Sequence, residues 1–191
     1  MRKIRQLQLT KEVASRSYFH YNGFDKIVLL SPESLAYKLR LHIWWPSDKA
    51  HIENVHNHDW DFGSFMLAGS YIFQEFQQSS NGLELYHYRY TPPNEKAFYS
   101  MEFVGTKKLS CTFEANLLKG TFYTLSHYVY HCVVSDPTKL TATLMLHGPK
   151  KNSNVEVFSY NPIDNPNIID AEPFSETILL KKLQDFLMLM E

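Results

Sequence analysis

His56 and His58 stand one residue apart in Glu53-Asn54-Val55-His56-Asn57-His58-Asp59-Trp60-Asp61-Phe62. Successive side chains on a strand alternate sides, so both imidazoles are expected on one face. There they can chelate a single metal ion through neutral ring nitrogens. Nine histidines in 191 residues produce about 0.4 such pairs by chance, so a second segment has to support the first. That segment is Gly120-Thr121-Phe122-Tyr123-Thr124-Leu125-Ser126-His127-Tyr128-Val129-Tyr130-His131. It places another histidine, His131, well downstream, and Gly69 closes the first segment.

Together the two segments resemble the paired motifs of the cupin superfamily. The first motif asks for a Gly, a His-x-His, a Glu and a Gly. His56, His58 and Gly69 match it, Ala50 stands for the first Gly, and Phe62 stands for the Glu. The second motif asks for Gly, Pro, Gly, His and Asn. Gly120 and His131 match it in register, while Ser126, Tyr128 and Ser135 stand for Pro, Gly and Asn. The resemblance covers about residues 24–150. It implies an all-β chain folded as a double-stranded β-helix, a jelly-roll barrel with the metal inside.

Most cupins bind metal with three His and one Glu, and Phe62 cannot ligate. Asp61 is one position off and faces away from His56 and His58, unless a bulge turns it inward. The remaining set, His56, His58 and His131, is similar to that of the thiol dioxygenases, a cupin branch that binds Fe(II) and oxidises a small thiol with O₂. Three neutral imidazoles leave positions open for substrate and O₂. They suit Zn with a bound water equally well.

The same branch carries Ser-x-His-x-Tyr-Ser-Pro after its last ligand. The corresponding run here is Thr143-Leu144-Met145-Leu146-His147-Gly148-Pro149. Thr143, Met145 and His147 share a face, which puts His147 inside the barrel where the branch has Tyr. Met145 replaces the middle His, so a substrate other than cysteine is expected. Arg40 alternates with Leu39 and Leu41 and shares a face with His42 and Trp44. Inside a barrel its guanidinium would hold a substrate carboxylate bidentately, as an early-strand Arg does in this branch. On an edge strand facing solvent it would merely be exposed.

Other chemistry-bearing residues read as structural. His87 and Arg89 alternate with Tyr86, Tyr88 and Tyr90, whose rings can fill a barrel wall. His127 lies in a turn-rich stretch, either behind the ligands or on the surface. His20 and His51 have no partner in sequence and read as bystanders. Cys132 follows a ligand position, so it points away as a buried, inert thiol. Trp60 shares parity with His58 and walls the pocket or fills the core. The seven glycines form no phosphate-binding loop, and no nucleophile elbow or Cys-x-x-Cys pair occurs.

The elements that must position these residues are mostly strands. Thr10 to His20 is expected as one short helix, and Ser31-Pro32-Glu33-Ser34 as a single helical turn. Strands are expected at Tyr37–Trp45, Ile72–Phe76, Leu83–Thr91, Phe98–Val104, Leu109–Ala115, Thr121–Leu125 and Thr141–Leu146. Asn81-Gly82, Pro92-Pro93-Asn94, Lys119-Gly120 and Asp136-Pro137 read as turns between them. Pro162, Pro166 and Pro173 predict an irregular loop over 161–173. A C-terminal amphipathic helix follows at about 175–190, with Leu179, Leu183, Phe186, Leu187 and Met190 at helical spacing. Its stripe is expected to pack on its own barrel, with a second copy in a homodimer as the alternative.

The whole chain, 1–191, therefore reads as one cupin domain, with the barrel over about 24–160. Nineteen Lys and Arg balance twenty Asp and Glu, for a net charge of −1. That balance argues against a nucleic-acid footprint or a polybasic membrane patch. Two cysteines, no apolar run of membrane length and no leader pattern predict a cytoplasmic protein. The expected function is a metal-dependent cupin enzyme, foremost a non-haem Fe(II) oxygenase acting on a small polar metabolite that Arg40 and His147 position. A metal-dependent isomerase, lyase or hydrolase, or a non-catalytic ligand-binding barrel, are the alternatives.

Overall fold

The computed structural model describes residues 10–32, 36–48, 52–91, 98–151, 154–164 and 169–190. A short helix α1 (Thr10–Ser15) leads into β1 (Tyr18–His20), β2 (Phe24–Leu30) and β3 (Lys38–Trp44). Then follow β4 (Val55–His56), β5 (Trp60–Ala68), β6 (Ser70–Thr91), β7 (Phe98–Leu118), β8 (Phe122–Leu125), β9 (Tyr130–Ser135), β10 (Thr141–Lys150), β11 (Val155–Ser159) and β12 (Ile169–Asp170). Helix α2 (Glu176–Met190) ends the chain's regular structure. The strands form two six-stranded sheets, β1-β2-β3-β10-β5-β8 and β11-β4-β9-β6-β7-β12. The non-sequential neighbours mean that the chain crosses repeatedly between sheets, which gives a jelly-roll barrel.

Period-two alternation explains the packing. On β3, Leu41 and Ile43 face outward into a cluster with Ile27, Ala142, Leu179, Leu183 and Phe186. On the same strand Arg40, His42 and Trp44 face the space between the sheets. Phe24, Phe62, Met66, Tyr71, Phe73, Leu125 and Met145 line that interior. Helix α2 therefore covers the outer face of the first sheet, as its apolar stripe predicts. Ser175 caps it, its hydroxyl accepting the Ile178 N–H at 3.2 Å. Lys182 reaches the fully buried Asp25 at 2.7 Å. The Trp45 indole N–H donates to the same carboxylate. Leu187, at the edge of the stripe, is exposed.

The structure departs from the sequence reading in several places. The N-terminal helix stops at Ser15, and Tyr18–His20 pairs with β2 instead. Ile72–Phe76 and Leu83–Thr91 are one strand, and so are Phe98–Val104 and Leu109–Ala115. Asn81-Gly82 does not turn the chain. Gln78 and Leu83 both register with Leu109, so residues 79–82 form a bulge within the ladder. Gly82 permits this, because a Cβ there would meet the Leu109 backbone at 2.4 Å. The proline-rich loop still contains β12, which fits between prolines and pairs with Phe98 and Tyr99 through the backbone. The strands that complete the barrel beyond those expected include Trp60–Ala68, Tyr130–Ser135 and Val155–Ser159. The Ser31–Ser34 turn, the Pro92–Asn94 turn, Ala50 and His51 lie wholly or partly outside the described residues. No helix among the described residues is long and apolar enough to cross a membrane.

Candidate metal centre

Strands β4 and β9 run antiparallel and pair His56 directly with His131, with ring centroids 4.6 Å apart. His58 is not on that strand: β4 ends at His56. Asn57 leaves the sheet because its amide oxygen accepts the Glu156 N–H at 2.7 Å. The His58 N–H then donates to the His127 carbonyl at 3.1 Å. The loop nevertheless returns the His58 ring to within 4.9 Å of His56 and 5.1 Å of His131, centroid to centroid. One nitrogen from each of the three rings lies within 4.8 Å of the others.

Their protonation suits a metal. Burial holds all three imidazoles below their ordinary range, so they are neutral at neutral pH. The His56 Nδ1–H donates to the Asn54 carbonyl at 2.8 Å, which leaves its lone pair on Nε2. His58 Nε2 is buried without a hydrogen-bond partner. Buried polar atoms are rarely left so, and a divalent ion would use that lone pair. The three residues fit such an ion.

Asp61 lies outside the histidine cluster. Its carboxylate accepts the His127 N–H at 2.9 Å, pairs with His127 Nδ1 at 2.8 Å and binds Lys151. Lys151 and then His127 hold it well below the usual carboxylate range. Unbroken alternation along β5 turns it outward, as strand parity predicts. Phe62, in the missing carboxylate's position, packs edge-on to His58 at 5.2 Å.

The histidines open into a cavity of about 910 Å³. Arg40 and His147, expected to position substrate, both line it. Trp60 connects them to the triad: its ring stacks on His58 at 4.2 Å and on His147 at 4.4 Å, and the Arg40 guanidinium lies over it at 4.9 Å. His147 donates from Nδ1 to the Gly148 carbonyl at 2.9 Å, so its Nε2 is an acceptor. Burial, with Arg40 nearby, lowers His147 to about 3. Arg40 Nε, His42 Nε2, Trp44 Nε1 and His147 Nε2 are buried without partners, and each belongs to the cavity wall. The cavity is built for a polar occupant.

Four residues of this wall escaped the sequence reading, and a fifth was misread. Glu53 is buried, and burial raises its carboxyl to about 8. The hydroxyls of Tyr71 and Tyr123 meet at 2.8 Å at the same end of the barrel. Lys26 shares parity with Phe24 and Val28 on β2, a signal that could have identified it. His20 is no bystander: it lines the cavity and stacks on Phe24 at 4.6 Å. Its strand was expected as helix, so its facing was not visible. His87 and Cys132 sit where the sequence reading put them, outside the cavity. His87 faces Glu156 at 2.8 Å and stacks on Phe158. The Cys132 thiol, pushed up to about 12 by burial, bonds Gln74.

Two segments far apart in sequence thus meet as one histidine cluster inside a jelly roll. The fold is a two-sheet jelly-roll barrel. No protein-family model and no curated protein matches the chain. Similar solved structures include a cupin-2 domain from Rhodospirillum rubrum, 10% identical with TM-score 0.42, over 88% of this chain and 80% of that one. An oxalate decarboxylase variant from Bacillus subtilis is 13% identical with TM-score 0.43, over 72% and 28%. A structure of DMSP lyases is 12% identical with TM-score 0.40, over 65% and 47%. This chain spans less than half the length of either enzyme chain.

Proposed function

We propose that this chain is a metal-dependent cupin enzyme acting on a small acidic metabolite, and in its finer form a non-haem iron(II) oxygenase. The observation that supports this reading is a cluster of three neutral histidines, with no carboxylate among them, facing a cavity that Arg40, His42 and His147 also line. His56, His58 and His131 would hold the ion. Once bound, a divalent ion supplies Lewis-acid activation or, as iron(II), electrons for O₂ chemistry.

The chain's own residues do the rest. Arg40 presents a planar fork for a carboxylate at one side of Trp60. The neutral His147, which also stacks on Trp60, offers an acceptor to a substrate hydroxyl. The paired hydroxyls of Tyr71 and Tyr123 and the protonated Glu53 hold transferable protons at the far end. Phe24, Trp44, Trp60 and Phe62 supply aromatic walls to the cavity. Metal analysis of protein purified without added metal or a His tag tests the site. Iron with substrate-dependent O₂ uptake supports the oxygenase. Zinc without uptake moves the reading to a hydrolase, lyase or isomerase. A parent that takes up no metal overturns it in favour of a binding barrel.

A further inference from the structure

Resting on the reading of this cavity as the seat of an acidic metabolite, we propose that Lys26, Lys38 and Arg40 form a subsite for two oxyanion charges, so that the ligand is a dianion and not a simple monoacid. Strands β2 and β3 pair with Lys26 opposite His42 and Val28 opposite Arg40. Lys26 and Arg40 are therefore diagonal neighbours on the cavity face. Lys38 lies two residues before Arg40 on the same face, opposite His147 of β10. All three line the cavity.

Among the described residues, none of these three cations has a carboxylate within 4.0 Å. Asp59, the acid on the same wall, is 3.5 Å from Lys150. Lys26 donates instead to the neutral Tyr18 hydroxyl at 2.6 Å, and Arg40 rests on Trp60. Burial, with Arg40 and then Lys38 nearby, holds the Lys26 ammonium well below its usual range. The fold thus gathers three basic side chains at one concave wall with no carboxylate in contact with them, and Asp59 acts on them only from a longer distance. A monoanion offsets one of these charges, whereas a dianion offsets two and bridges both strands. Trp60 touches both the Arg40 guanidinium and the His58 ring. The charged group is therefore an anchor, set one indole away from the triad.

The test is calorimetric titration of inorganic phosphate, malonate and acetate at constant ionic strength. It uses the full chain, both stripped of metal and loaded with Zn. A dianion should bind both forms about tenfold or more tightly than acetate. Tighter phosphate assigns a phosphate monoester, and tighter malonate assigns a dicarboxylate. Lys26→Met and Arg40→Met should each weaken the dianion about tenfold or more. Lys26→Arg should retain it, and the exposed Lys119→Met should match the parent. Should Lys26→Met not fold by near-ultraviolet circular dichroism, Lys38→Met and Arg40→Met decide. Acetate binding as tightly as both dianions, no dianion binding by the folded parent, or unchanged affinity in the charge-removing variants overturns the subsite. Failure of metal uptake with dianion binding intact overturns the metal reading alone.

Discussion

At the residue scale the site depends on three imidazoles that burial keeps neutral. Removing one leaves a two-point chelate, so His56→Ala, His58→Ala and His131→Ala should each lose most bound metal by mass-spectrometric metal analysis. His127→Ala is the matched control, since its ring bonds Asp61 outside the cavity. Equal metal in His131→Ala and His127→Ala would sink the triad. Phe62→Glu places a carboxyl beside His58 and His131, whose rings lie 5.2 and 5.8 Å from Phe62. That variant should hold metal against a chelator more tightly than the parent. Glu53 permits a pH test on metal-stripped protein. Its folded carboxyl is raised to about 8 from 4.5, so the folded state binds the extra proton between those values. Stability contributed by this group is present below the unfolded value and falls as pH rises toward 8, by at most about 1.4 kcal/mol per pH unit. Denaturant titrations of Glu53→Gln and parent should therefore diverge in favour of the variant from pH 5 to pH 8. A constant difference would mean that the carboxyl titrates normally.

At the element scale, two joints hold the cavity's walls in place. Gly69 links β5 to β6 with φ of 67°, and a Cβ there would meet the Leu140 carbonyl oxygen at 2.3 Å. The motif glycine thus answers to a left-handed backbone and to close approach together. Gly120 also has positive φ, 90°, but opens onto free space. Thermal melts should show Gly69→Ala losing clearly more stability than Gly120→Ala, and equal losses would remove the crowding argument. Helix α2 is the second joint. Leu183 is buried between the helix and the first sheet with Ile27, Leu41 and Ile43. Leu183→Ala should cost about 2–5 kcal/mol in denaturant unfolding. A loss below about 0.5 kcal/mol would mean that the helix does not dock on the barrel in solution.

At the scale of the whole molecule, the triad ties the two motif segments together, and α2 braces the opposite sheet. An ion that binds only the folded barrel stabilises it by mass action, about 2.7 kcal/mol at a hundredfold excess over Kd. For a chain of this size that is a melting-point rise of about 5–10 °C. Differential scanning calorimetry of metal-loaded and chelator-treated protein should show the rise in the parent and not in His131→Ala. The same rise in both would place the ion elsewhere.

Local patterns were enough to make the barrel's main features legible. The alternation of Arg40, His42 and Trp44 against Leu41 and Ile43 sorted β3 into its two faces, because a strand has only two, and the barrel then turned the Arg40 face inward. The 3.6-residue stripe of Leu179, Leu183 and Phe186 likewise told which face of α2 buries, and the structure placed that face on the first sheet. The His-x-His and the later run from Gly120 to His131 brought out the three histidines that cluster in the fold. Alternation also kept Asp61 out of the set. Tertiary structure decided what depends on contacts between distant segments. Asn81-Gly82 became a bulge and not a turn because the Leu109 backbone lies against it. His58 reaches the centre from a loop held by Glu156 and His127, not from a strand. Glu53 titrates high, and Lys26 low, only because the barrel closes over them. Desolvation and charge crowding arise from the folded surroundings, and no short window of sequence contains them.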